Sequence, residues 1–162
     1  ETLFTKGSGK TVITGQLGDV MKESAQIAIS IVKSMYPDKE HLFEENDLHI
    51  HVPEGAVPKD GPSAGITLTT ALASLVTGHV VDPTVGMTGE VALRGSVTAI
   101  GGLPEKLMAA VRAGLKTIYI PEDNIRDLKD VPDEVKEQLQ IIGVKNVSDV
   151  LEANGLTELR VA

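Results

Sequence analysis

The sequence predicts a mixed α/β fold, on three observations. Met21, Ala25, Ala28, Val32 and Met35 recur at spacings of four, three, four and three, which lays one apolar stripe along a helix. Between 47 and 53 the period falls to two: Leu48, Ile50 and Val52 alternate with His49 and His51, as in a half-buried strand. Pro62 and Pro104 each stand where a helix can begin, with strand-like segments between and after them. At 162 residues one core is enough to account for the chain, so a single domain spanning 1–162 is expected.

The elements follow in order. Residues 10 to 17 alternate through Thr11 and Ile13 as a strand, and Gly15 and Gly18 bracket the turn after it. A helix is expected from about Asp19, ended by Pro37. The strand over 47–53 places both histidines on the face opposite Leu48 and Ile50. Proline at the first helical position has its φ preset and gives up only an amide that lacks a partner, so Pro62 opens a helix and Ser63 falls in its first turn. Ile66, Leu68, Leu72, Leu75 and Val76 carry that helix to Gly78, a left-handed stop. It is apolar on several sides, as a central helix should be. Strand-like segments at 84–88, 90–94 and 96–100 are separated by glycines, and Gly101-Gly102 lead into a second helix over 104–113, ended by Gly114. A strand at 117–120, helical stretches at 122–129 and 132–139, a strand at 140–144 and a helix from about 147 complete the chain, with no internal repeat.

Composition narrows the function. Hydrophobic residues make up 41% but aromatics only 2%, so the core is aliphatic and there is no Trp for base stacking. A net charge of −8 opposes direct binding of nucleic acid, whose affinity comes from clustered Lys and Arg. The absence of cysteine removes disulfides, thiolate catalysis and cysteine-based zinc sites, and fits a reducing compartment. No apolar run approaches the length of a membrane span and no signal peptide is evident, so the expectation is a cytoplasmic protein without a membrane partner.

The candidate chemistry lies in Pro58-Lys59-Asp60-Gly61-Pro62-Ser63-Ala64-Gly65 and in Gly101-Gly102-Leu103-Pro104-Glu105-Lys106. A hydroxyl is a poor nucleophile until a neighbouring group takes its proton. Ser63, in a first helical turn, would meet unpaired amides and the positive end of the helix dipole, which suit an alkoxide and a tetrahedral oxyanion. Lys106 would occupy the third position of its helix, where a cation opposes the dipole by roughly 0.3–1 kcal/mol. If its side chain is also buried, desolvation makes the neutral amine available near neutral pH, as a general base requires. Taken singly, Ser63 reads as a helix cap and Lys106 as a solvated lysine; the surrounding residues favour chemistry. Thr88, at a strand end, has a hydroxyl that could hold the lysine amine or accept a proton, although threonine is also simply a good strand former. Asp60 either caps the Ser63 helix or reaches Lys106 and holds it charged.

Three look-alikes fail. Gly61-Pro62-Ser63-Ala64-Gly65 matches the G-x-S-x-G elbow of α/β-hydrolases, but only His79 follows Ser63 and no acid lies between them, so the triad order cannot be built. Gly9-Lys10-Thr11 resembles the end of a phosphate loop, but the full pattern needs glycine where Phe4 stands. His49 and His51 could chelate a metal from one strand face, yet no third ligand is indicated, and structural or site-lining roles are preferred.

Taken together, HIHVPEGA, PKDGPSAG, MTGEVALRG and IGGLPEKLMAA, with 43 positions from Ser63 to Lys106, resemble the proteolytic domain of Lon, the ATP-dependent protease, over roughly Leu3 to Leu159. The resemblance implies that Ser63 is the nucleophile, Lys106 the general base and Thr88 a residue beside the lysine. It implies a fold shared with the second domain of a small-subunit ribosomal protein, a homohexameric ring, and an upstream ATPase module of the AAA+ type that feeds unfolded protein to the serine. On that reading the chain is a fragment lacking the ATPase and N-terminal domains and the first few residues of its own domain. It needs no cofactor itself, ATP and magnesium being used by the absent module. The competing expectation is a non-catalytic oligomerisation or substrate-docking module with the same fold.

Overall fold

A computed structural model of the chain describes residues 1–53 and 61–157. Two three-stranded sheets and a short hairpin are interleaved with helices. Strands β1 (Thr2–Lys6) and β2 (Thr11–Thr14) flank β3 (Asn46–His51), antiparallel and parallel to it respectively, with Leu3 opposite His49 and Ile13 opposite Ile50. Helix α1 (Asp19–Met35) and the short α2 (His41–Glu45) connect β2 to β3. The central α3 (Gly65–Thr77) leads to the second sheet, in which β4 (Val85–Met87) is an edge strand parallel to β7 (Thr117–Pro121), itself parallel to β8 (Gln140–Val144). Between them lie the hairpin β5 (Glu90–Val91) and β6 (Val97–Thr98) and helix α4 (Leu103–Arg112). A 3₁₀ segment (Glu122–Asp130), α5 (Asp133–Gln138) and α6 (Val147–Ala153) complete the domain.

The expected stripe of α1 is inward: Ala25, Ala28 and Val32 are buried and Met21 and Met35 half-buried, against α3. Helix α3 buries Ile66, Leu68, Leu72, Ala73 and Val76, so its apolarity on several sides reflects a central position. Gly78 ends it at φ +74°, a conformation that costs glycine nothing. Strand β7 divides the interior. Tyr119 packs with Leu48, Ile66 and Val144 in a core around α1 and α3, whereas Ile118 and Ile120 point the other way, toward Leu103, Leu107, Ala110, Val131 and Leu139. Strand alternation thus assigns α3 and α4 to opposite faces of one sheet.

One strand and one α-helix were not anticipated. Strand β1 is five residues with only partial burial, and long-range pairing to β3 rather than its own pattern makes it a strand. Helix α2 buries Phe43, whose ring meets Phe4 edge-on at 5.4 Å, a tertiary contact that five residues of sequence do not announce.

Candidate active site

Helix α3 does not begin at Pro62. Its first residue is Gly65, and Ser63 stands in the turn just before it. The cause is local hydrogen bonding. The Ser63 carbonyl, which a helix would offer to the amide four residues on, instead accepts from the Gly89 amide at 2.9 Å, and the Gly89 carbonyl accepts from the Ile66 amide at 3.1 Å. These two bonds tie the serine turn to the segment after β4. Gly65 suits the closeness of that junction, since a Cβ there would lie a tight 3.0 Å from the Val91 backbone nitrogen. The Gly65 amide is also engaged, on the Pro62 carbonyl at 3.1 Å. The Gly65 and Ile66 amides, which the first turn of the helix would otherwise offer to an oxyanion, are thus already engaged.

Helix α4 starts one residue earlier than expected, at Leu103. Lys106 is its fourth residue rather than its third, with its amide donating to Gly102 at 3.1 Å. Leu103 is 1% exposed, and its burial adds a residue to the helix ahead of Pro104. Gly102 enters the helix at φ +70°, which lets the chain turn sharply between β6 and α4.

From opposite faces of the second sheet, the two segments meet around its edge strand. Ser63, Thr88 and Lys106 line one cavity of about 530 Å³, walled by Met87, Ala109, Ala113, Leu115 and Ile118 among others. Thr88 follows β4, is buried, and is held by its amide donating to Tyr119 at 3.0 Å. Lys106 Nζ donates to Thr88 Oγ1 at 3.5 Å. Desolvation by burial pushes the lysine pKa below its ordinary value. Ala109 and Ala110, three and four residues further along the same helix, also line the cavity, and Lys106 is the one charged residue among its described lining. Asp60 lies outside the described residues.

Other parts of the lining were not singled out from sequence. The apolar wall comes from β4, the end of α4 and the start of β7, whose residues read simply as core. Thr67, Val85 and Met87 also line a second cavity, about 700 Å³, that continues along α3 past Ala71 and Ser74. Nothing in their local spacing signals a cleft.

The look-alike motifs have other uses. The amides of Ser8 and Lys10, in the segment that resembles a phosphate loop, donate to Asp47 Oδ1 at 3.0 and 2.9 Å, so the anion this turn holds is the protein's own carboxylate. Those bonds, the one from Lys10 first, lower the Asp47 pKa. His49 Nε2 and His51 Nδ1 share the expected strand face and converge on Thr14 Oγ1 at 2.9 and 2.7 Å. Among the described residues no group of three or more His, Asp or Glu side chains is placed to hold a metal, and no helix is long and apolar enough to cross a membrane.

A serine and a lysine whose amine burial drives toward its neutral form line one cavity, and those are group types that nucleophilic catalysis can use. By comparison with known proteins, the class of this domain is that of the peptidases. Residues 1–157 match the family described as the Lon protease (S16) C-terminal proteolytic domain, and the chain belongs to that family. It is 64% identical over 145 residues to a Lon protease of Clostridium beijerinckii, covering 90% of this chain and 18% of that protein. To a Lon protease of Methanosarcina barkeri it is 53% identical over 153 residues, covering 93% and 19%. The corresponding match from Methanosphaera stadtmanae is 54% identical over 159 residues, covering 96% and 19%. The chain thus spans about a fifth of the length of these relatives.

Proposed function

We propose that the chain is one proteolytic domain whose catalytic dyad is Ser63 and Lys106, with Thr88 steadying the lysine. The observation that carries this reading is a single, largely apolar cavity lined by both residues, with the lysine amine partly desolvated and hydrogen-bonded to a buried threonine.

Neutral Lys106 takes the proton from Ser63 Oγ as that oxygen bonds to the carbonyl carbon of a peptide. The resulting oxyanion is stabilised by backbone amides at the serine turn. The lysine ammonium then gives its proton to the departing amine, the C–N bond breaks, and an ester to Ser63 remains. Water, deprotonated by the same amine, attacks the ester and frees the serine. A nearly apolar wall serves this sequence because each desolvating neighbour disfavours the ammonium. The continuation of the cleft along α3 offers space for chain on one side of the scissile bond.

The remaining features are proposed on the family relationship: substrates that are unfolded or damaged proteins, delivery by an ATP- and magnesium-using AAA+ module of the same polypeptide, a homohexameric ring and a cytoplasmic setting. The domain's own chemistry uses no cofactor.

Treatment of the folded chain with a serine-directed electrophile, read by mass spectrometry, should add one label at Ser63. Ser63→Ala should take no label and cleave no peptide, and Lys106→Ala should lose cleavage by several orders of magnitude. Full cleavage by Lys106→Ala would remove the base assignment; an unlabelled, inactive but correctly folded protein would favour a docking module instead.

A further inference from the structure

We propose that Asn124 is a positioning residue for Lys106, acting as a two-point clamp on the backbone just before the lysine helix. This inference rests on the assignment of Lys106 to the site, and it adds a residue whose local sequence carries no sign of the role.

Asn124 lies in the 3₁₀ segment Glu122–Asp130 and is 1% exposed, a burial that an amide side chain tolerates only when its polar atoms are paired. All of its hydrogen-bonding groups are engaged. Oδ1 accepts from the Ile100 amide at 2.9 Å, and Nδ2 donates to the Ile100 carbonyl at 2.9 Å and to Asp127 Oδ2 at 2.8 Å. The side chain therefore imitates one rung of a β-ladder. Because Oδ1 must face an N–H and Nδ2 a carbonyl, its orientation is set as well.

The object of the clamp matters. Ile100 is followed by Gly101 and Gly102 and then by α4, whose fourth residue is Lys106. Both glycines are exposed, and a Cβ built at Gly101 would meet nothing within 4 Å, so packing there does little to fix the entry to the helix. Upstream, β6 pairs with β5 and stops at Thr98. Asn124 therefore ties the chain on the upstream side of a loose glycine joint, while Leu103 and Leu107 seat α4 in the core on the downstream side.

Lys106 is only partly buried. A small displacement of the first turn of α4 would carry its amine toward water and away from Thr88. No other charge competes for control of the amine within the described cavity. Glu105 precedes it on an exposed site of α4, Asp127 faces Asn124, and on the neighbouring α5 Lys136 pairs with Asp133 at 3.2 Å.

Two variants and two readouts test the proposal. Asn124→Ala removes all three bonds without adding charge, and Asp127→Ala removes only the third. In the folded chain, the pH dependence of Lys106 acetylation by acetic anhydride reports the amine directly, and cleavage of an apolar fluorogenic peptide between about pH 6 and 10 reports its use. In Asn124→Ala the acetylation midpoint should move to higher pH by about one unit. Peptide kcat near neutral pH should fall roughly 10–100-fold and recover toward alkaline pH, with KM changed by less than about threefold. Asp127→Ala should shift the midpoint the same way by less, and because it keeps both bonds from Asn124 to Ile100 it is the milder variant where the first does not fold. Loss of a carboxylate would by itself lower the lysine pKa, so an upward shift can come only from repositioning. An unmoved midpoint in Asp127→Ala, or a folded Asn124→Ala whose kcat loss is equal at every pH, would overturn the clamp. The acetylation readout holds even if Lys106→Ala retains cleavage, so failure of the base assignment and failure of the clamp are separate results.

Discussion

The apolar lining of the cavity makes a quantitative demand on Lys106: a carboxylate placed beside it should disable it. Ala109 is the site for that substitution. It lines the cavity three residues beyond Lys106 on the same helix, and it is exposed, so a longer side chain can be accommodated without disturbing the core. Residues at this spacing have Cβ atoms about 5–6 Å apart. At about 5.5 Å, opposite unit charges attract by about 3 kcal/mol at an effective dielectric of 20 and about 0.8 kcal/mol in bulk water. Exposure at Ala109 favours the lower part of that range, and about 1.4 kcal/mol corresponds to one pH unit. The attraction raises the lysine pKa, so the neutral fraction at any pH well below it falls about tenfold. In Ala109→Glu, kcat/KM near neutral pH should therefore drop about tenfold, the alkaline rise of the rate should move up by about one unit, and the two enzymes should converge above it. Ala109→Gln, of equal size and no charge, should leave the profile in place. Salt at 1 M, where the Debye length is about 3 Å, should erase much of the difference. A pH profile identical in Ala109→Glu and the parent enzyme would refute the placement of a working amine at Lys106.

Two further substitutions test the packing that holds the proposed dyad. Leu107 is fully buried on α4 beside the lysine, and Leu107→Ala should cost about 2–5 kcal/mol of stability in urea unfolding; a loss below about 1 kcal/mol would mean that the second core does not anchor this helix. In Gly65→Ala the new methyl group meets backbone, not a flexible side chain, 3.0 Å away at Val91. The serine turn should shift and peptide kcat fall roughly 10–100-fold, while unaltered kinetics would show that this junction does not set the position of Ser63.

Most of the architecture was legible because local and tertiary preferences agree. The stripe from Met21 to Met35, the alternation around Leu48 and Ile50, and the stops at Gly78 and Gly114 all describe elements that packing also favours. Disagreements arise where a distant segment intervenes. Proline at 62 is a sound helix opener, but Gly89 claims the Ser63 carbonyl, and α3 yields three residues. Strand β1 and helix α2 depend on partners far along the chain, β3 and Phe4, which short windows do not contain. At the site, Ser63, Lys106 and Thr88 were nameable from their motifs and fall on one cavity. Asn124 was not, because an asparagine in an acidic helical stretch has no local sign of being buried or of bonding a backbone 24 residues away. The apolar wall was hidden for a related reason: Met87, Leu115 and Ile118 look like core until an edge strand leaves one side of them open.

Strand β7 separates two packing units, and each supplies one partner of the proposed proton transfer. Alignment of the pair is thus a property of how two hydrophobic bodies seat against a common sheet, and neither body determines it alone. Mild warming or low denaturant that lets α4 slide on its face would part the hydroxyl from the amine while the core around α1 and α3 stayed intact. Activity should then fade ahead of the main unfolding transition. Conversely, anything that presses the two bodies onto the sheet, whether a ligand spanning the cleft or an adjoining protein surface, would hold the pair in register without touching either reacting atom.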